Sequence, residues 1–139
     1  AIVVMSFVLK DVNDQLGLAN YVIETVSPII SRAYLPLIAF VSLALITFAT
    51  GSFWGVYAIS LPIIIPLAQS MGADIWLSIG AVISAGAFGS HACFYGDATV
   101  LSASATQCNN MAPVMTQLPY TLIAGLVTSV IYLVLGFIV

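Results

Sequence analysis

Leu118 to Val139 reads LPYTLIAGLVTSVIYLVLGFIV, twenty-two residues with no acidic or basic side chain. As a helix rising about 1.5 Å per residue it is about 33 Å long, enough to cross a hydrocarbon core of roughly 30 Å. The rest of the chain has the same character: 62% of its 139 residues are hydrophobic and 5% are charged, where a water-soluble domain carries about 25% charged residues. So little charge cannot cover a water-facing surface, which makes lipid the natural solvent. The expected fold class is an all-α integral membrane protein of several helices. Two bases against five acids, net charge −3, leave no basic patch for phosphate contacts, so no nucleic-acid partner is expected. Cys93 and Cys108 lack the CxxC spacing of a zinc site and are too few for a disulfide framework. The N-terminus has neither the basic start nor the cleavage site of a secretory signal. The chain opens at Ala1 already inside an apolar run, and we expect residues 1–139 to be one transmembrane domain belonging to something longer.

Working back from that last span, Cys108 to Gln117, with Asn109-Asn110 and Pro113, reads as a loop. Ala98 to Gln107 reads as a short helix, with Thr99, Ser102 and Thr106 at i, i+3, i+7 on one face. Gly89-Ser90-His91-Ala92-Cys93-Phe94-Tyr95-Gly96-Asp97 reads as a break, ending a helix that starts at Ile75 and runs to Phe88. Ala81, Ala85 and Gly89 form a small-residue stripe on that helix, which lets a neighbouring helix approach closely. Gly125 and Ser129 make a similar notch in the last span. Gln69 to Asp74 is a polar turn. Before it, two apolar arms, Ala33 to Ala49 and Val56 to Ala68, flank Thr50-Gly51-Ser52-Phe53-Trp54-Gly55, and the second arm carries Pro62 and Pro66. At 17 residues the first arm is about 25 Å long, short of a full span. The pair therefore reads as a re-entrant hairpin as readily as two spans, and non-helical backbone at that depth must be covered by protein or line a wet cavity. Pro28 and Ser31-Arg32 mark a turn, preceded by an apolar segment from Leu16 to Ile30. Lys10 and Arg32 are the only bases, too few for a positive-inside assignment of orientation.

Asp97 is the leading candidate for chemistry. A carboxylate at membrane depth costs at least about 2.5–3.5 kcal/mol and usually has a partner or a task. It is also placed to cap the helix that begins at Ala98, a role compatible with holding a proton or a cation at a helix end that faces a cavity. Thr99, Ser102 and Thr106 offer hydroxyl oxygens, the ligand type hard cations prefer, although such hydroxyls more often bond between membrane helices. Thr50, Gly51 and Ser52 combine two hydroxyls with a residue free to take unusual backbone angles. His91 titrates near neutrality when unperturbed and reads as a proton relay or a structural hydrogen-bonder. Trp54 and Tyr57 read as interface anchors or as a cavity lid. No cofactor and no catalytic residue is expected, and an intramembrane aspartyl protease would require a second membrane-depth Asp.

Three colinear stretches carry a resemblance. They are Thr50-Gly51-Ser52-Phe53-Trp54-Gly55 with Leu61-Pro62; Phe88-Gly89-Ser90-His91 with Asp97-Ala98-Thr99-Val100-Leu101-Ser102; and Thr116-Gln117-Leu118-Pro119-Tyr120. Together with Leu16-Gly17 and Tyr21 they resemble NhaC-type sodium/proton antiporters of the ion transporter superfamily. The resemblance implies the C-terminal portion of a multi-pass transporter of the inner (cytoplasmic) membrane, one of two inverted repeats. Each repeat would have a re-entrant hairpin and a broken helix meeting at the midplane. It implies sodium/proton antiport, with sodium and the proton as transported species. It also implies functional positions at Gly51, Ser52, His91, Asp97 and Thr99; with the hydroxyls of Thr50 and Ser102 read above, these make the expected ion- or substrate-binding set, with sodium at Asp97, Thr99 and Ser52. The partners implied are the lipid bilayer, the N-terminal half of the transporter and a second copy in a homodimer. The chain has Ser90 where that family usually has Asp. Related proteins exchange malate, lactate or amino acids, so an organic-anion or amino-acid exchanger is the alternative, followed by a non-transporting membrane subunit.

Overall fold

The structure is a computed structural model; it describes residues 31–109 and 111–138 and the single positions 12, 15, 21 and 24, and at Asp97 it describes the backbone alone. Apart from positions 12, 21 and 24, the polar interruption after Lys10 and the segment from Leu16 to Ile30 lie outside the described residues. After a single 3-10 turn, Arg32–Tyr34, come five helices among the described residues: α1, Leu35–Thr50; α2, Phe53–Met71; α3, Ile75–Ala92; α4, Asp97–Thr106; and α5, Met111–Ile138. The 3-10 turn with α1, and each of α2, α3 and α5, are long and apolar enough to cross a membrane.

Local chemistry accounts for the ends of these helices. Pro36 stands at the start of α1, where its missing N–H has no intrahelical partner to lose. Gly51, at φ +69°, ends α1 by donating its N–H to the Thr47 carbonyl (2.8 Å), a left-handed cap that suits glycine. Gly72 closes α2 in the same way. The Asp74 carboxylate then caps α3 by accepting from the Leu77 N–H at 2.6 Å. Pro62 and Pro66 lie inside α2, so the segment stays helical although two of its N–H groups are missing.

Two boundaries differ from the sequence reading. Gly89, Ser90 and His91 belong to α3, which runs to Ala92, so the break shrinks to the four residues Cys93 to Gly96. The reason is packing: Gly89 lies against α1, and a Cβ there would collide with Thr47 and with the Phe48 backbone at 2.8 Å. The expected loop from Cys108 to Gln117 is also mostly helix, since α5 begins at Met111. Pro113 falls in its first turn, where proline is tolerated. Smaller differences are a helical start at Phe53 and an α4 that begins at Asp97, with Gly96 in the N-cap position.

The contacts set the directions of the helices. Leu35, Leu67 and Ala68 cluster with Ile64, Met71 and Ile75, so the start of α1, the end of α2 and the start of α3 share one end of the molecule. At the other end Gly89 meets Thr47, and Gly86 meets the ring of Tyr57. Thus α1 and α3 run parallel, with α2 antiparallel to both. α5 is antiparallel to α3: Gly125 faces Phe88, Tyr132 bonds Ser84 at 2.8 Å, and Gly136 abuts the Ala33 carbonyl. The main core, Phe40, Ala44, Ala81, Ala85 and Tyr132, lies between α1, α3 and α5. Lipid is as apolar as leucine, so such contacts are won by close approach rather than by escape from water. That is why the stripe of Ala81, Ala85 and Gly89 is fully covered, as its spacing predicts.

Candidate functional site

Two interruptions of helix come together. A Cβ on Gly51 would lie 2.7 Å from Cδ2 of Tyr95 and 3.4 Å from Sγ of Cys93, so the link between α1 and α2 rests on the break between α3 and α4. The Tyr95 hydroxyl fastens them by donating to the Ala49 carbonyl at 2.6 Å, and Phe48 meets Phe94 edge to face at 6.5 Å. Four helix termini therefore share one junction: the C-termini of α1 and α3 and the N-termini of α2 and α4. Helix ends carry about half an elementary charge each, negative at C-termini and positive at N-termini. The junction thus offers carbonyl oxygens and amide N–H groups side by side, the means to hold a small ion without a formal counter-charge.

The candidate residues fare differently. Gly51 is buried at the centre of the junction, and Ser52 is half-buried in extended backbone at the start of α2. Thr50 is exposed and spends its hydroxyl on the Ile46 carbonyl (2.9 Å). Asp97 is the first residue of α4. Thr99 is 3% exposed and donates to the Cys93 carbonyl at 3.1 Å, bridging the break. Ser102 and Thr106 share the helix face predicted for them, but both are exposed and both bond back along α4, to Ala98 and Ser102 at 2.8 Å each. The covered face of α4 runs instead through Thr99 and Ala103. His91 is exposed, in the last turn of α3. It lines a groove of about 450 Å³ between α3 and α5, with Phe40, Phe88, Tyr120 and Thr121. It stands two positions after Gly89, about 200° around a helix, so His91 faces away from the α1 contact that Gly89 makes. Tyr57 reaches from α2 to the Ile83 carbonyl at 2.8 Å, while Trp54 stays 65% exposed.

Sequence reading missed Tyr95, the strut of the junction, because its partner lies 46 residues away. It noted Ser90 only as a departure from the family's usual Asp, a hint of the organic-anion alternative, and did not foresee that its hydroxyl would be buried without a hydrogen-bond partner.

Four membrane-competent helices among the described residues, packed around this junction, define a polytopic membrane protein. The chain matches the Na+/H+ antiporter family over residues 1–137 and belongs to it. It is 33% identical over 138 residues to an uncharacterised protein of Haemophilus influenzae, covering 99% of this chain and 27% of that protein. It is 28% identical over 94 residues to the malate-2H(+)/Na(+)-lactate antiporter of Bacillus subtilis, covering 68% of this chain and 20% of that protein. The chain thus spans about a quarter of the length of these relatives. No solved structure matches it.

Proposed function

We propose that this chain is the C-terminal repeat of a sodium/proton antiporter of the cytoplasmic membrane, and that the junction is its half of the ion site. The observation that carries this reading is the docking of the Gly51 link against the Cys93–Gly96 break through Tyr95. Loose ends at a membrane surface would need no such fastening. The lengths agree: α3, of 18 residues, and α4, of 10, together match the 28 residues of α5. The α1–α2 link is level with the break, about 15 Å short of the far end of α4 at 1.5 Å per residue. If the broken helix and α5 span the bilayer, α1 and α2 form a re-entrant hairpin whose tip lies inside it.

In this mechanism Asp97 alternates between a proton and sodium, the exchange a single carboxylate performs when its two ligands exclude each other. Thr99 and Ser52 supply oxygens, and the N-terminal repeat supplies the rest of the site and the motion that alternates access. The complete protein is expected to work as a homodimer. Asp97→Asn in proteoliposomes of the complete transporter is expected to abolish sodium-dependent proton exchange; full exchange in that variant removes Asp97 from the mechanism.

A second reading, exchange of small organic acids on the same scaffold, is favoured by the similarity to the protein named as a malate-2H(+)/Na(+)-lactate antiporter. Sodium-independent, substrate-specific uptake of a carboxylate by the same vesicles would establish it over the first.

A further inference from the structure

Hydroxyl side chains on apolar helices turn back onto a carbonyl about one turn earlier, and in this chain they do so repeatedly. Thr47 bonds Leu43 at 2.7 Å, Ser60 bonds Val56 at 2.6 Å, and Ser78 and Ser129 bond Asp74 and Gly125 at 2.8 Å each. Ser90 does not. Its side chain is 2% exposed, and its Oγ is the only buried side-chain polar atom without a hydrogen-bond partner among the described residues. The carbonyl of Gly86, one turn earlier, is the acceptor its neighbours' habit would select. Buried hydroxyls are nearly always satisfied, so this one is open to a partner beyond the described residues.

Its position says which partner. Ser90 stands in the last turn of α3, and its own carbonyl occupies the space a Cβ would need on Gly96, the N-cap of α4. One turn earlier on the same side of α3, Gly86 carries Tyr57 of α2. Because α2 runs antiparallel, Ser90 is level with its first turn, immediately after Ser52. Ser90 therefore stands at the level of the junction, in the last turn of α3, where the Gly89 carbonyl takes the Cys93 N–H and the carbonyls of His91 and Ala92 have no intrahelical donor.

We propose that Ser90 Oγ is a direct ligand of the transported ion, acting with the last-turn carbonyls of α3 as a neutral oxygen shell for a hard monovalent cation and setting its affinity. A hydroxyl adds a ligand without adding charge, so the charge of the site is left to Asp97 alone. This rests on the antiport reading above.

The test is sodium-dependent proton exchange by the complete transporter in proteoliposomes, read with an entrapped pH-sensitive dye over a series of sodium concentrations. Ser90→Ala is expected to raise the half-saturating sodium concentration about tenfold, the value of one lost ligand bond, with little change in maximal rate. Ser90→Thr, which keeps the hydroxyl, is expected to stay near wild type. In detergent, sodium is expected to raise the thermal midpoint of the wild type and of Ser90→Thr but not that of Ser90→Ala. Wild-type half-saturation in Ser90→Ala, or equal impairment of both variants, would overturn the assignment and leave antiport standing. Wild-type vesicles indifferent to sodium would overturn antiport and this ligand together.

Discussion

Gly51 carries two constraints at once: a φ of +69° and the ring of Tyr95 against the place a Cβ would occupy. An L-residue in left-handed backbone costs roughly 1–2 kcal/mol, and the ring contact at 2.7 Å adds a separate steric cost. Gly51→Ala is therefore expected to lower the thermal midpoint of the purified protein and to slow exchange. Adding Tyr95→Ala should recover the steric part and leave the backbone part, so the double variant is expected to be less impaired than the sum of the singles. Additive losses would show that Tyr95 and Gly51 do not press on each other. Only half of this pair was legible beforehand. A glycine between Thr50 and Ser52 announces unusual backbone by its type, whereas Tyr95 is one more aromatic until the fold brings it to Ala49.

Elements were legible where apolar runs are long and less so where small or polar residues sit inside them. Gly89 illustrates why: glycine costs a helix interior about 1 kcal/mol relative to alanine, so Gly89-Ser90 reads as a stop. In the fold the missing side chain is what admits α1 against Thr47, and that packing outweighs the propensity. Pro113 misled for a related reason, since a proline marks a loop or a first helical turn equally well. The surviving break is short, and it is spanned by the Thr99 hydroxyl on the Cys93 carbonyl, with the Gly96 N–H reaching the same oxygen at a long 3.5 Å. Thr99→Val keeps the shape and leaves that carbonyl with its poorer bond, a loss of about 1–3 kcal/mol for a buried acceptor. The expected outcome is faster amide hydrogen exchange from Gly96 to Val100, with Thr99→Ser close to wild type. Unchanged exchange in Thr99→Val would mean that the break is held by other contacts.

At the scale of the whole molecule, the directions of the helices make a prediction about sides. Ser31 and the Ala73 turn lie at one end, the C-terminal end of α5 meets Ala33 there, and Cys108 lies beyond α4 at the other. Cys108 is exposed and Cys93 is buried, so the chain carries its own reporter. An impermeant maleimide is expected to label Cys108 from one face of the membrane, and Ser31→Cys and Ala73→Cys from the opposite face. Ser52→Cys then separates the two descriptions of the α1–α2 pair. If both helices cross the bilayer, Ser52 emerges on the Cys108 side and reacts as readily as Cys108. If the pair is re-entrant, Ser52 stops short by the length of α4, about 15 Å, and a bulky impermeant maleimide leaves it unlabelled while Cys108 reacts. The second outcome is expected, because the Gly51 link is fastened at the level of the break and not at the end of α4. It would put Asp97, Ser90 and the four helix ends at a depth where the protein alone decides what accompanies the ion.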